Sequence, residues 1–197
     1  MGFAESGTDR VSPRVTVSSV KSTALFTGAL LTALFLPAPL ESALDWTVSL
    51  RRAGPIRVGM PLVEVLRVLG DPTARLEGNV PEVPLENCAY LSSKRLPKGL
   101  GLMFAKGRVV RIDIYEGLIK TASGAGIGDT EDRILRLYLG RIRVEGHHYD
   151  PDGHYLNYST VDSIDKDYGM VFETDGKKVT SFRTGTVEAI DCACPLG

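Results

Sequence analysis

The stretch Val58–Gly70, which reads Val-Gly-Met-Pro-Leu-Val-Glu-Val-Leu-Arg-Val-Leu-Gly, decides the predicted fold because it specifies both ends of a short helix. Pro61 suits the first position of a helix, and Gly70 is typical of the residue that ends one. Between them, apolar residues recur with helical spacing at Leu62, Val65, Leu66 and Leu69. The stretch therefore predicts an amphipathic helix with one stripe facing a core.

A second stretch, Ile127–Gly140, repeats features of the first. Leu66 and Leu135 match at an offset of 69 residues, and so do Arg67 and Arg136. Offsets of 68 or 69 residues continue downstream at Gly101/Gly169, Phe104/Phe172, Gly107/Gly176 and Val110/Val179. A near-constant offset through a helix and a hairpin predicts a tandem repeat. In a superposition of the halves, Leu66 should lie on Leu135 and Phe104 on Phe172.

Alternating apolar residues predict strands around each helix. One is expected at 45–51, and residues 72–86 should form an irregular loop. After the first helix we expect strands near 88–91, 100–104 and 108–115, and after the second at 144–149, 154–158, 168–172 and 179–184. The small residues of Thr121–Gly126 predict a flexible boundary. The predicted fold class is α+β, with residues 44–120 and 121–197 each forming a short helix or helical hairpin on an antiparallel sheet of three to four strands.

The amino terminus, residues 1–43, has the pattern of an export signal. Arg10, Arg14 and Lys21 precede an apolar run, Ala24–Leu36, that is too short for a spanning helix of about 20 residues. A retained membrane anchor is the alternative. We expect a periplasmic or secreted protein that touches a membrane only through this segment if it stays uncleaved.

Composition narrows the classes of partner. The chain has 197 residues, of which 43% are hydrophobic and 24% charged, and its formal net charge is −1. This balance is typical of a globular protein and gives no field that would attract nucleic acid. We expect no nucleic-acid partner.

Three cysteines are present, at positions 88, 192 and 194. A disulfide from Cys88 to Cys192 or Cys194 would close a long loop and stabilise the fold by roughly 4 to 5 kcal/mol. The alternative is that all three are small core or tail residues. Of the two pairings, we predict Cys88 with Cys192.

The phrases Val58-Gly59-Met60, Glu64-Val65-Leu66 and Leu69-Gly70-Asp71-Pro72 resemble the signature of the small outer-membrane lipoprotein (SmpA/OmlA) domains. Their doubling is similar to the tandem arrangement of the β-lactamase-inhibitory proteins. The resemblance implies helix-then-sheet units that are exported, non-enzymatic and protein-binding. Pro61 stands where threonine is usual, and neither barrel assembly nor β-lactamase inhibition is carried over.

Polar residues are densest in one predicted hairpin, which holds His147, His148, Asp150, Asp152 and His154. Imidazoles on facing strands with carboxylates at the turn could bind a metal. The favoured interpretation is an ordinary hairpin whose Asp-Pro-Asp-Gly turn is chosen for its backbone angles. We predict no cofactor and no resident metal.

Signals for catalysis are weak. There is no Gly-x-Ser-x-Gly motif around a nucleophile, and the glycine-rich stretch 123–128 lacks the Gly-Lys-Ser/Thr of a phosphate-binding loop. We predict that the protein is not an enzyme.

A broad sheet face is the predicted binding site. If helices cover one face, the other should present Arg111, Asp113, Tyr115 and Phe182, flanked by Thr180 and Thr184. Aromatic and arginine side chains are enriched in protein interfaces. We therefore expect an envelope or extracellular protein that binds another protein. The alternative is a periplasmic protein that binds a small molecule or metal at the His147–Tyr155 hairpin.

Overall fold

The computed structural model describes residues 45–77 and 88–191. The chain divides into two compact units, Met1–Glu41 and Ser42–Gly197, and every described residue belongs to the second. The predicted export signal lies outside the described residues.

Helices and antiparallel strands make up this unit. The helices are α1 (Leu62–Leu69), α2 (Glu131–Leu137) and α3 (Val187–Ile190). The strands are β1 (Val48–Ser49), β2 (Arg52–Ala53), β3 (Ile56–Arg57), β4 (Arg75–Glu77), β5 (Ala89–Ser92), β6 (Leu100–Ala105), β7 (Arg108–Ile114), β8 (Ile142–Gly146), β9 (His154–Tyr158), β10 (Tyr168–Thr174) and β11 (Val179–Thr186).

Eight strands form one antiparallel sheet in the order β4-β5-β6-β7-β11-β10-β9-β8, and β1, β2 and β3 form a small separate sheet. Four consecutive strands follow α1, and four more follow α2. The last strand of each set, β7 and β11, pair at the centre. The expected combination of helices with antiparallel strands is confirmed, although both sets join a single sheet.

The predicted C-terminal end of α1 is confirmed, since Gly70 adopts the left-handed conformation at φ 62° after its last residue. The helix begins one residue later than predicted, because Pro61 is the cap and not the first helical residue. The helix α2 is capped by Thr130, whose hydroxyl accepts a hydrogen bond from the amide of Arg133. Val65 of α1 and Ile134 of α2 are completely buried in the same core.

Backbone hydrogen bonds fix the start of each helix to a hairpin. The amide of Gly59 donates to the Val109 carbonyl at 2.7 Å, and the Val109 amide donates to Met60 at 3.0 Å. For α2, the Gly128 amide donates to Val179 at 2.8 Å, and the Val179 amide donates to Asp129 at 2.9 Å. Each helix is therefore anchored beside the first residues of β7 or β11.

The hairpins β6–β7 and β10–β11 both contain a bulge. Phe104 pairs with Val109 next to the first bulge, and Thr174 pairs with Val179 next to the second. By this pairing Phe104 corresponds to Thr174, two residues beyond Phe172. The expected match of Phe104 with Phe172 is therefore wrong, because it followed side-chain type and not strand register.

Several predicted boundaries shift. The strand expected at 45–51 is only Val48–Ser49, and β4 lies inside the stretch expected to be an irregular loop. The segment Thr121–Gly126 is not a free linker, because Thr121 and Ala125 share a backbone hydrogen bond of 2.8 Å and Ala125 is completely buried.

In the part of the chain that the structure describes, no helix combines the length and the apolar character needed to cross a membrane.

Candidate protein-binding surface

The predicted binding residues do not share one exposed face. Phe182 is buried in the core on the side of α1 and α2, where it pairs with Ile114. The bulge explains the error, since Val179 and Thr180 together oppose Thr174. An extra residue reverses the inward and outward alternation of the strand. Thr184 is also completely buried, whereas Thr180 is exposed.

Arg111 and Asp113 point to the opposite face as predicted, but only 2% and 6% of their surfaces are exposed. The short helix α3 folds back over them. Its Ala189 carbonyl accepts a hydrogen bond from Nη1 of Arg111 at 3.0 Å. Carbonyls at a helix end lack partners within the helix, so the arginine satisfies one of them. Tyr115, just beyond the end of β7, is 44% exposed.

The covered part of this face combines polar and apolar contacts. Nε of Arg111 lies 2.8 Å from Oδ1 of Asp113, and the Tyr90 hydroxyl donates to Oδ2 of Asp113 at 3.2 Å. Burial raises the pKa of Asp113, although the charges of Arg111 and Arg183 and the hydrogen bonds from Arg111 and Tyr90 oppose the shift. A small apolar cluster beside them consists of Cys88, Met103, Ala105 and Ala189. These side chains support the fold and offer little surface to another protein.

Cys88 is buried in that cluster. Cys192 and Cys194 lie outside the described residues, so a disulfide from Cys88 to Cys192 stays a prediction.

The other part of the face, over β9 and β10, carries the half-buried side chains of Tyr155, Asn157 and Glu173. Here Arg183 forms an ion pair with Glu173, and the Ser181 hydroxyl donates to Glu173 at 2.9 Å. Burial alone would raise the pKa of Glu173, but the charge and hydrogen bond of Arg183, together with Ser181, outweigh it and lower the pKa. The Nε of Arg183 also donates to the Ile190 carbonyl at 2.8 Å. The Arg183 guanidinium therefore bonds both to α3 and to Glu173 on β10.

Four rings cluster at one end of this region, three in the loop after β8 and one, Tyr155, on β9. We call them the aromatic surface: His147, His148, Tyr149 and Tyr155. His147 stacks on Tyr155 with ring centroids 4.4 Å apart, and His148 lies 5.6 Å from Tyr155. Tyr149 is 79% exposed. Tyr149 and His148 are exposed to solvent, whereas Tyr155 contacts both His147 and Arg183.

The turn at Asp150–Gly153 fixes the aromatic surface. Nδ1 of His147 accepts hydrogen bonds from the amides of Tyr149 and Asp150, each at 3.1 Å. The Gly153 amide donates to the Asp150 carbonyl at 3.0 Å. A Cβ at Gly153 would lie 2.7 Å from the Thr174 carbonyl oxygen, so only glycine fits. The turn expected at these residues is present, but β8 ends at Gly146 and His147–Tyr149 belong to the loop.

The histidines of the hairpin do not converge. His154 and Tyr155 are neighbours on a strand and point to opposite faces. Nδ1 of His154 lies 2.8 Å from Oε1 of Glu131 in α2, on the face away from His147. Among residues 45–77 and 88–191, no group of three or more His, Cys, Asp or Glu side chains is placed to hold a metal ion. The set His147, His148, Asp150, Asp152 and His154 is therefore split between two faces.

The aromatic surface could have been predicted only in part. The sequence places His147, His148, Tyr149 and Tyr155 together in one predicted hairpin, but the side on which they lie depends on where β8 ends.

Comparison with known proteins identifies no family. No family model and no curated protein matches the chain. Among solved structures, it is similar to an extracellular protein containing an SCP domain from Bacillus anthracis str. Ames, at 12% identity and a TM-score of 0.43. That match covers 67% of this chain and 45% of the other, so this chain spans less than half of that protein.

A second similar structure is the uncharacterized protein yfeY from Escherichia coli, at 13% identity and a TM-score of 0.45. The match covers 71% of this chain and 99% of that one. With TM-scores this low, neither likeness carries a functional argument.

Proposed function

We propose that this protein is a non-catalytic protein-binding module of the bacterial envelope or the extracellular space, and that it binds its partner through the aromatic surface. The observation that carries the proposal is the cluster of four rings beside Arg183, in which Tyr149 is 79% exposed. Tyrosine and arginine dominate the residues that contribute most to protein interfaces.

The packing within the aromatic surface supports a binding role. Tyr155 stacks on His147, and the Arg183 guanidinium lies 5.9 Å from the Tyr155 ring centroid, just within the range of a cation–π pair. A side chain that is already fixed loses less conformational entropy when a partner binds. Tyr149 and His148 extend outward and supply apolar area with polar tips, which suits contact with another protein.

The half that contains α1 resembles the half that contains α2, which supports the tandem duplication that we infer for this protein. Each half contains one helix followed by four antiparallel strands, and each helix start makes the same two backbone hydrogen bonds to its hairpin. At the centre of the sheet, Ile112 pairs with Thr184 and Ile114 with Phe182. An offset of 70 residues takes Ile112 to Phe182 and Ile114 to Thr184, so it converts one pair into the other. This is expected for two copies related by a twofold axis between β7 and β11.

Export is proposed from the sequence of residues 1–43, with its basic residues ahead of a short apolar run. Sequencing the amino terminus of the mature protein tests it. Recovery of residues 1–30 intact would contradict cleavage, and a new terminus after the apolar run would support it.

Affinity capture tests the binding role. The full chain should retain one or a few specific proteins from envelope extracts, and the double variant His148→Ala/Tyr149→Ala should lose them. A matched control is Val161→Ala/Ile164→Ala, which removes exposed apolar side chains from the loop between β9 and β10. Circular dichroism should show that all three proteins are folded. Equal capture by the aromatic variant would contradict the proposed surface.

A further inference from the structure

The outer edge of β8 is a second candidate contact surface. This strand ends the eight-stranded sheet, and among residues 45–77 and 88–191 no other strand pairs with its outer side. All five residues of β8 are in unbroken register with β9. Natural edge strands are commonly protected by charged side chains, proline or a bulge; β8 has no proline and no bulge, but it carries the charges of Arg143 and Glu145.

The direction of the backbone groups follows from the pairing with β9. The Ser159 amide donates to the Arg141 carbonyl at 3.1 Å, and the His147 amide donates to the Gly153 carbonyl at 2.9 Å. Inward and outward groups alternate along an antiparallel strand. The N–H and C=O groups of Ile142, Val144 and Gly146 therefore point away from the sheet.

We propose that β8 pairs antiparallel with β8 of a second copy of this chain, with the twofold axis at Val144. In that register Val144 opposes its own counterpart, and Ile142 opposes Gly146 of the second copy. All of these residues have outward backbone groups, so each such pair can exchange two hydrogen bonds. The two sheets would join into one continuous sheet.

Charge complementarity selects the second copy as the occupant. With Val144 on the axis, Arg143 stands directly opposite Glu145 of the second copy, and the reverse pair forms on the other side. Both are non-hydrogen-bonded pairs, in which side chains come closest. Within one chain, Nη1 of Arg143 already lies 2.7 Å from Oε1 of Glu145, and both side chains are exposed. Association would therefore place four charges of alternating sign next to one another.

Neighbouring registers are unfavourable. A twofold axis at Arg143 would place two arginines face to face, and one at Glu145 would do the same with two carboxylates. Like charges directly opposite each other destabilise a sheet. The backbone directions also exclude an axis between residues, since outward groups would then oppose inward ones. Among the registers centred within Arg143–Glu145, the one at Val144 alone satisfies both conditions.

Side-chain size fits the same register. Val144 is 46% exposed in the single chain and would be covered by its counterpart. A Cβ at Gly146 would meet no atom within 4 Å, so the space beside it is open to the Ile142 side chain of the second copy. The edge of β8 adjoins the aromatic surface but consists of other residues, and the inference does not depend on the proposed function.

Charge reversal tests the dimer. The full-length wild-type chain should sediment as a monomer–dimer equilibrium in analytical ultracentrifugation. Arg143→Glu alone and Glu145→Arg alone should each raise the dissociation constant by about tenfold or more, because two attractive pairs become repulsive. A mixture of the two variants should form a heterodimer, since every opposing pair is again of opposite sign. Both side chains are exposed, so folding should be kept, and circular dichroism checks this.

The matched control lies at the other end of the sheet. Strand β4 carries the same Arg-x-Glu pattern, with Arg75 and Glu77 in an ion pair. Arg75→Glu should leave the dimer unchanged. A wild-type chain that is monomeric at every concentration, as expected if another segment of the same chain covers β8, would overturn the proposal. So would a dimer that Arg75→Glu weakens, or a variant mixture that stays monomeric.

Discussion

Arg111 and Asp113 form an ion pair in the protein interior, with Nε and Oδ1 2.8 Å apart beneath α3. Two positions apart on β7, they lie on one face of the sheet, and both are almost completely buried. Arg111 also donates to the Tyr90 hydroxyl and to the Ala189 carbonyl. The pair thus links β5, β7 and α3.

Removing one member of this pair should destabilise the protein strongly. Asp113→Ala leaves the arginine charge buried without its carboxylate, which typically costs about 3 to 5 kcal/mol. The double variant Arg111→Met/Asp113→Leu should recover much of the loss, because apolar side chains of similar size need no charged partner. Urea denaturation followed by circular dichroism measures both. A loss below about 1 kcal/mol for Asp113→Ala would contradict the role given to the pair.

Asp71 predicts a specific acid sensitivity. Its carboxylate accepts from the Thr73 hydroxyl at 2.7 Å, from the Ser93 hydroxyl at 2.7 Å and from the amides of Thr73 and Lys94. The hydrogen bond of the Thr73 hydroxyl, followed by that of Ser93, holds the pKa of Asp71 well below its usual range. The residue connects the end of α1 to the loop after β5.

An acid whose pKa is lowered on folding stabilises the folded state above its unfolded pKa of about 3.9, and this contribution is lost as pH falls towards the folded value. Asp71→Asn should therefore be less stable than the wild type at pH 7, and the difference should shrink below about pH 4. Thermal melts from pH 7 to pH 2 measure it. Parallel curves for the two proteins across that range would contradict the assignment.

The sequence predicted those parts of the fold that local patterns specify. Gly70 and the apolar spacing before it located α1, and the turn at Asp150–Gly153 located the hairpin of β8 and β9. These signals work because each depends on the backbone conformation of a few adjacent residues.

Two structural features that no local sequence pattern reveals caused the errors in the predicted binding site. The bulge at Val179 and Thr180 reversed the alternation of β11 and carried Phe182 into the core. The helix α3, Val187–Ile190, is too short to show a helical period, yet it buries Arg111 and Asp113. Both effects depend on contacts with other elements of the fold, which the periodicity of a single strand does not reveal.

The glycines before α1 and α2 should be equally sensitive to substitution. Gly59 and Gly128 have φ angles of 87° and 84°, and a Cβ at either would meet no atom within 4 Å. The expected cost of Gly59→Ala and Gly128→Ala is therefore backbone strain alone, about 1 to 2 kcal/mol each. Gly146→Ala is the control, because its φ is not positive and its surroundings are also open. Chemical denaturation should give two similar losses and a nearly unchanged control; clearly unequal losses would contradict equivalent helix starts.

Thr174 connects β10, β9 and α2 through one hydroxyl. Its oxygen accepts from the His154 amide at 3.1 Å and from the Gly176 amide at 3.2 Å, and it donates to Oε1 of Glu131. The side chain of His154 contacts the same carboxylate oxygen of Glu131. A valine here would keep the shape of the side chain but leave these polar groups without the hydroxyl.

Thr174→Val should therefore cost about 1 to 3 kcal/mol, because a buried polar group that loses its partner keeps its desolvation penalty. Thr174→Ser should retain most of the stability, since it preserves the hydroxyl and removes only a methyl group. Thr180→Val, at an exposed position of the neighbouring strand, is the matched control and should change stability by no more than about 0.5 kcal/mol. Urea denaturation of the three variants decides the matter: if valine at 174 is tolerated as well as valine at 180, the hydroxyl does not hold α2 to the hairpin.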